Sequence, residues 1–213
     1  MSPPPSNELL NLFSVPVGVC RDVAEPALLE LGVDWILGER ERDPGIHVSN
    51  AGGWHSRPDL PNREEPVLDA LFGSMVEEVR RFHGRVCQPP DAPDAHLRIV
   101  LQAWATVMER GDHVHVHDHA DAHWSAVLYL DAGEMTGETD GRLSWINPSG
   151  GHRNPPGRPL SATSFHLTPE AGLLVIFPGW LRHSVFPYAG TRPRVALAAN
   201  FELAPRRGAS SGG

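Results

Sequence analysis

Apolar and polar positions follow two different periods along this chain. Val67, Leu68, Leu71, Phe72, Met75, Val76, Val79 and Phe82 recur at three- and four-residue spacing, which marks one face of a helix. Asn62 followed by Glu65, with Pro66 in the first turn, predicts its start, and Gly84 predicts its stop. A second helix is predicted over Leu28, Leu29, Leu31, Trp35 and Ile36, opened by Asp22 and Glu25 and ending near Gly38. From residue 97 or so the period becomes extended. Stretches 96–107, 125–130, 143–146, 173–177 and 195–201 read as strands. Gly, Pro, Asn and Asp turns separate them, with a long Pro- and Gly-rich excursion over 147–159. The pattern predicts two packing helices, then a mainly β core of roughly seven or eight strands, a sandwich or barrel.

A length of 213 residues suits one domain. Its expected extent is 11–204, with a flexible arm over 1–10 and a disordered polar tail over 205–213. The formal charge of −8 argues against nucleic acid as partner. The two cysteines, Cys20 and Cys87, form neither a disulfide framework nor a zinc motif, which suggests free thiols in a reducing cytoplasm. No apolar stretch has the length of a membrane span, and the N-terminus lacks the features of a signal peptide.

One segment changes the picture. Residues 111–123 hold five histidines and three aspartates. Alternate residues of an extended segment share a face, so His113, His115, His117 and His119 are expected to point one way. Imidazoles in a row suit a borderline transition metal; the bland alternative is a solvated, His-rich loop. Further on, His183 follows a buried strand, and Arg194 comes eleven residues later. A histidine pair, a distal histidine and then an arginine give a mononuclear metal three ligands and open positions, beside a fixed fork for a carboxylate. 2-Oxoglutarate, a chelator at one end and a carboxylate at the other, has the matching shape.

Four segments carry a resemblance to a known family. They are Ser49-Asn-Ala-Gly-Gly-Trp-His-Ser56; Trp104 with Gly111-Asp112 and the histidines; Ser125-Ala-Val-Leu-Tyr-Leu130; and Gly172-Leu-Leu-Val-Ile-Phe-Pro-Gly-Trp-Leu-Arg-His183 with Arg194 and Asn200-Phe201. Together they resemble the 2-oxoglutarate/Fe(II)-dependent oxygenases, and within them a small bacterial group of about this length. The resemblance implies a double-stranded β-helix (jelly-roll, cupin-like) core with N-terminal packing helices. It also implies Fe(II), 2-oxoglutarate as co-substrate and O2. The spacing of that group's motifs, counted from Gly111 and back from Ser125, assigns the metal to His117, His119 and His183 and the co-substrate carboxylate to Arg194, with Arg192 a weaker candidate. Tyr129, Ser125 and Asn200 are the further cofactor-binding candidates.

The chain departs from the superfamily pattern where a carboxylate ligand is usual. His117-Asp-His119 leaves a three-histidine site, or a shifted set of His119, Asp121 and His183. Ala196 stands where many relatives have a serine, so Tyr129 or Ser125 is expected to replace that hydroxyl. The resemblance implies hydroxylation of a small molecule, amino acid or peptide with release of succinate and CO2. Trp54 and His55, on a loop over the barrel mouth, and Arg98 are weaker substrate candidates. Trp104, Trp124 and Trp145 read as packing residues, and Asp112 and Asp118 as groups that orient the ligand imidazoles. The rivals are a cupin-type three-histidine dioxygenase without 2-oxoglutarate, a metallo-β-lactamase-like zinc hydrolase reading His117-Asp-His-Ala-Asp121 as its motif, and a non-catalytic binding module. A homodimer is compatible with a β-rich chain of this size.

Overall fold

The computed structural model describes residues 14–87, 97–135, 137–150 and 162–205. The expected arm over 1–10, the tail beyond 205 and His152 lie outside the described residues.

Helix α1 (Pro26–Arg42) starts at a proline, with no side-chain cap from Glu25. Asp22 sits at φ 54 in a turn before it, so the expected capping box does not form. The helix also runs four residues past Gly38. Its last turn is held by tertiary contacts, because the Glu39 carboxylate accepts from Arg42 and Arg63. Helix α2 (Pro66–Cys87) buries Leu68, Leu71, Phe72, Met75 and Val79, the stripe read from the sequence. Asn62 belongs to a short 3-10 turn, Leu60–Asn62, rather than to the α2 start, and the helix continues through Gly84.

The strands are β1 (Gly18–Cys20), β2 (Asn50–Ala51), β3 (Trp54–His55), β4 (Leu97–Met108), β5 (His113–His117), β6 (Trp124–Asp131), β7 (Leu143–Ile146), β8 (Ser164–Leu167), β9 (Leu174–Pro178), β10 (His183–Val185) and β11 (Arg194–Pro205). They form a larger sheet in the order β1-β9-β6-β11-β4-β3 and a smaller one in the order β2-β5-β10-β7-β8. The count exceeds the sequence expectation because two- and three-residue strands carry too few positions for a period to show.

Strands β4 and β11 pair antiparallel over twelve residues, from Arg194 opposite Met108 to Pro205 opposite Leu97. Residues opposite each other in a ladder share a face. Ala103, Ala105, Val107, Val195, Leu197, Ala199 and Phe201 therefore point outward, where they pack on Leu29, Ile36, Leu71, Met75 and Val79 of the helices. Burying this apolar surface, at about 25 cal/mol per Å², joins the helices to the larger sheet. The inner face carries Met108, Thr106, Trp104, Arg194, Ala196 and Ala198. A second core, with Tyr129, Leu143, Trp145, Val175 and Phe177, fills part of the space between the sheets. The rest of that space is a cavity. Among the described residues, no helix is long and apolar enough to cross a membrane.

Candidate metal centre

Three imidazoles meet at the open end of this cavity. Ligand atoms of His117, His119 and His183 all lie within 4.8 Å of one another. Ladder pairing brings two of them together, since His183 on β10 stands opposite His117 on β5. Their rings are 4.3 Å apart. His119 follows the end of β5. Its backbone N–H donates to Gly179 O at 2.7 Å, and its ring leans on Trp104 at 5.6 Å. A side chain at Gly179 would collide with the carbonyls of His119 and Ala122, so this loop needs glycine to seat His119.

The tethers of the rings are backbone carbonyls. Nδ1–H of His117 donates to His115 O at 2.8 Å, and Nδ1–H of His183 donates to Leu181 O at 2.9 Å. A carbonyl only accepts, so each of these rings keeps its lone pair on Nε2, the form a metal takes. Burial lowers the pKa of all three histidines, to about 4 for His119 and about 3 for His183. Desolvation is the largest cause, and the like-charged neighbours add to it for His119 and His183. The cluster is therefore neutral at pH 7 and ready to bind a cation. Sequence reasoning had no signal for the carbonyls. It expected Asp112 and Asp118 to orient the imidazoles, but Asp112 accepts the Glu109 N–H at 2.7 Å, and Asp118 is exposed.

The even alternation expected of His113, His115, His117 and His119 fails at a bulge. His183 pairs with His117 and Val185 with Val114, so β5 holds one more residue than β10 between the two pairs. An extra residue reverses the faces beyond it. Val114 consequently lines the cavity, whereas His115 is exposed. Asp121 is exposed in the turn after His119 and takes no part in the cluster.

At the closed end, Arg194 is buried. Nη1 donates to Gly141 O at 2.7 Å and reaches Met108 Sδ at 3.5 Å. The guanidinium stands 5.0 Å over the Tyr129 ring. Among the described residues, Arg194 Nε and the Tyr129 hydroxyl are buried without a hydrogen bond of good geometry. The two groups stand close enough to act on each other, and the Asp140 carboxylate adds its charge to the guanidinium. Donors remain to spare on a buried cation, so this end fits a carboxylate. Ser125 and Asn200 also line the cavity, but they bond each other at 2.8 Å at the histidine end. Asn200 is six residues along β11 from Arg194, about 20 Å at the rise of a strand, so neither residue reaches the arginine. Arg192 is exposed and pairs with Asp131 and Glu134.

Trp54 and His55 form an edge strand on β4 instead of a mouth loop, and both line the cavity. Arg98 does not. It stands at the far, exposed end of β4, opposite Ala204, because the strand continues past the cavity. Trp124 and Trp145 are buried packing residues, while Trp104 lines the cavity.

Comparison with known proteins gives this arrangement a context. Residues 102–200 match the family model described as "Putative 2OG-Fe(II) oxygenase". No curated protein matches the chain. Among solved structures, a prolyl-4-hydroxylase of Pseudomonas putida is 18% identical with a TM-score of 0.63, covering 92% of this chain and 95% of that one. HygX of Streptomyces hygroscopicus, solved with nickel and 2-oxoglutarate, is 15% identical with a TM-score of 0.61, covering 91% and 84%. A Trichoplax adhaerens prolyl hydroxylase, solved with a fragment of hypoxia inducible factor, is 13% identical with a TM-score of 0.63, covering 87% and 82%. At these identities the likeness is one of fold, and it identifies the two facing sheets as a double-stranded β-helix. The family match over residues 102–200 spans the segment that carries all three clustered histidines and Arg194, and there the chain is similar to the 2-oxoglutarate/Fe(II)-dependent oxygenases.

Proposed function

We propose that His117, His119 and His183 hold Fe(II), that Arg194 and Tyr129 hold the distal carboxylate of 2-oxoglutarate, and that the enzyme hydroxylates a small molecule, amino acid or peptide. The observation that carries this reading is the buried pair of donors with capacity to spare, Arg194 Nε and the Tyr129 hydroxyl, in the same cavity as the three histidines. Bound Fe(II), with 2-oxoglutarate and O2, would supply the oxidising chemistry and release succinate and CO2.

The chain's own groups do the positioning. The carbonyls of His115 and Leu181 fix the tautomers of two ligands. The Arg194 guanidinium, anchored on Gly141 O, offers a charged donor to the carboxylate, and Tyr129 offers a hydroxyl where Ala196 supplies none. The apolar walls of Val127, Leu143, Phe177 and Val185 limit water around the reacting groups.

A dioxygenase that needs no 2-oxoglutarate gives the buried arginine no task. A zinc hydrolase built on Asp121 needs that carboxylate in the cluster, and it is exposed in the following turn. The free cysteines favour a reducing cytoplasm. The test is succinate formation. Iron-loaded protein with 2-oxoglutarate in air is expected to produce succinate slowly even without a primary substrate, and Arg194→Met to lose most of that activity. Iron-loaded protein that consumes no 2-oxoglutarate under any condition would overturn the reading.

A further inference from the structure

The cavity extends past the arginine and the metal centre to the edge strand β3. At the level of Ala196 four strands cross its floor in the order β6, β11, β4, β3. Their registers set Tyr129, Ala196, Thr106 and His55 side by side on the inner face. Three strand spacings, about 14 Å, separate Tyr129 from His55. Arg194 and Tyr129 take one side of that width. The other side is a lobe walled by Asn50, Gly53, His55, Trp104, Thr106 and His113.

The lobe is built rather than left over. His55 is 7% exposed. Its Nδ1–H donates to Ser56 O at 2.7 Å, so Nε2 carries the lone pair. Its ring stacks on Trp104, 5.5 Å away and 14° from parallel. Edge strand β3 is clamped behind it. Ser56 N donates to Ala105 O at 3.0 Å, and Ser56 Oγ accepts the Ala105 N–H at 2.9 Å. Gly53, at φ 66, lets the chain press onto β4; a side chain there would come within 2.8 Å of Val107 O. Among the described residues, no aspartate, glutamate or arginine lines this side. The Asp112 carboxylate behind it is turned to the Glu109 N–H. A cation entering here would lose water, find no counter-charge and stand beside the metal centre, since Trp104 lies against both His55 and His119. An uncharged donor would find an acceptor in His55 and an aromatic face in Trp104.

We propose that this lobe is the primary-substrate subsite, and that it takes an uncharged group which donates a hydrogen bond to His55 Nε2 and lies against Trp104: an alcohol, a phenol or an amide. The assignment rests on the co-substrate reading for the opposite side of the cavity.

Histidine ring NMR of the full chain, loaded with Zn(II) as a diamagnetic metal, tests it with phenol and benzylamine as probes. Saturating 2-oxoglutarate is expected to move the signals of His117, His119 and His183 and to leave His55 nearly unchanged. Phenol is then expected to shift His55 saturably, with benzylamine binding at least about tenfold more weakly. His55→Leu is expected to weaken phenol about threefold to tenfold, the range for one lost hydrogen bond, with 2-oxoglutarate affinity kept. His55→Gln retains an acceptor and is expected to bind phenol within about twofold of the parent. The proposal is overturned if phenol leaves His55 unmoved, if benzylamine binds as well, or if 2-oxoglutarate shifts His55 as strongly as the three clustered histidines. Phenol binding with no response to 2-oxoglutarate would support the lobe and sink the co-substrate reading instead.

Discussion

The two ends of the cavity are built on opposite plans. At the open end the histidines are neutral, backbone carbonyls set the tautomers of His117 and His183, and ladder pairing brings these two together before any ligand arrives. At the closed end a buried guanidinium and a buried hydroxyl face each other with bonding capacity left unused. The first end is already complete as a set of lone pairs. The second has donors to spare for an anion beyond Asp140. Removing groups from the first should abolish cation binding outright, whereas removing groups from the second should weaken anion binding by degrees.

The largest effect is expected from His183→Ala. Metal affinity should fall by more than about 100-fold, the upper end of what losing an outer partner of a ligand costs, as read by isothermal titration with Ni(II) or anaerobic Fe(II). Next comes Arg194→Met. It should weaken 2-oxoglutarate by about 10- to 100-fold, as losing a charged hydrogen bond does, and leave metal affinity intact. Tyr129→Phe should cost only about threefold to tenfold in 2-oxoglutarate affinity, one neutral hydrogen bond. If Tyr129→Phe matched Arg194→Met, the hydroxyl rather than the guanidinium would be the main anchor.

A separate effect, on stability rather than on affinity, is that of pH on the metal-free protein. The unfolded histidines take up protons near pH 6.5, whereas folded His119 and His183 resist until about 4 and about 3. Between those values the unfolded chain binds more protons, so stability falls as pH drops through 6.5 and continues to fall toward 4. Above 6.5 these groups make it flat. Thermal melts from pH 8 to pH 4 read this, and a melt that rises on acidification would contradict neutral burial of the cluster.

The contrast also explains what the sequence made legible. His117, His119, His183 and Arg194 stood out because side-chain type carries the chemistry and the β period marks the strands that hold them. The bulge in β5 did not, because one extra residue in a ladder is defined only by its partner, β10. For the same reason His115 seemed to face inward. The carbonyl tethers of His115 and Leu181 are backbone groups and leave no mark on composition. His55 seemed to sit on a loop, because a two-residue edge strand has no period and its place depends on β4, some fifty residues away in sequence. Arg98 lay on the right strand, but the length of β4 carries it beyond the cavity. The end of α1 was missed because contacts of Glu39, with Arg42 in the helix and Arg63 across the fold, outweighed Gly38.

The most direct measurement is an anaerobic titration of Fe(II)-loaded protein with 2-oxoglutarate, watching for a visible metal-to-ligand charge-transfer band. The account expects a saturable band in the parent protein, the same band at about 10- to 100-fold higher 2-oxoglutarate in Arg194→Met, and an undiminished band in Asp121→Ala. Iron that binds tightly but gives no band with 2-oxoglutarate would contradict the pairing of the two ends. Loss of the band in Asp121→Ala would contradict the three-histidine cluster.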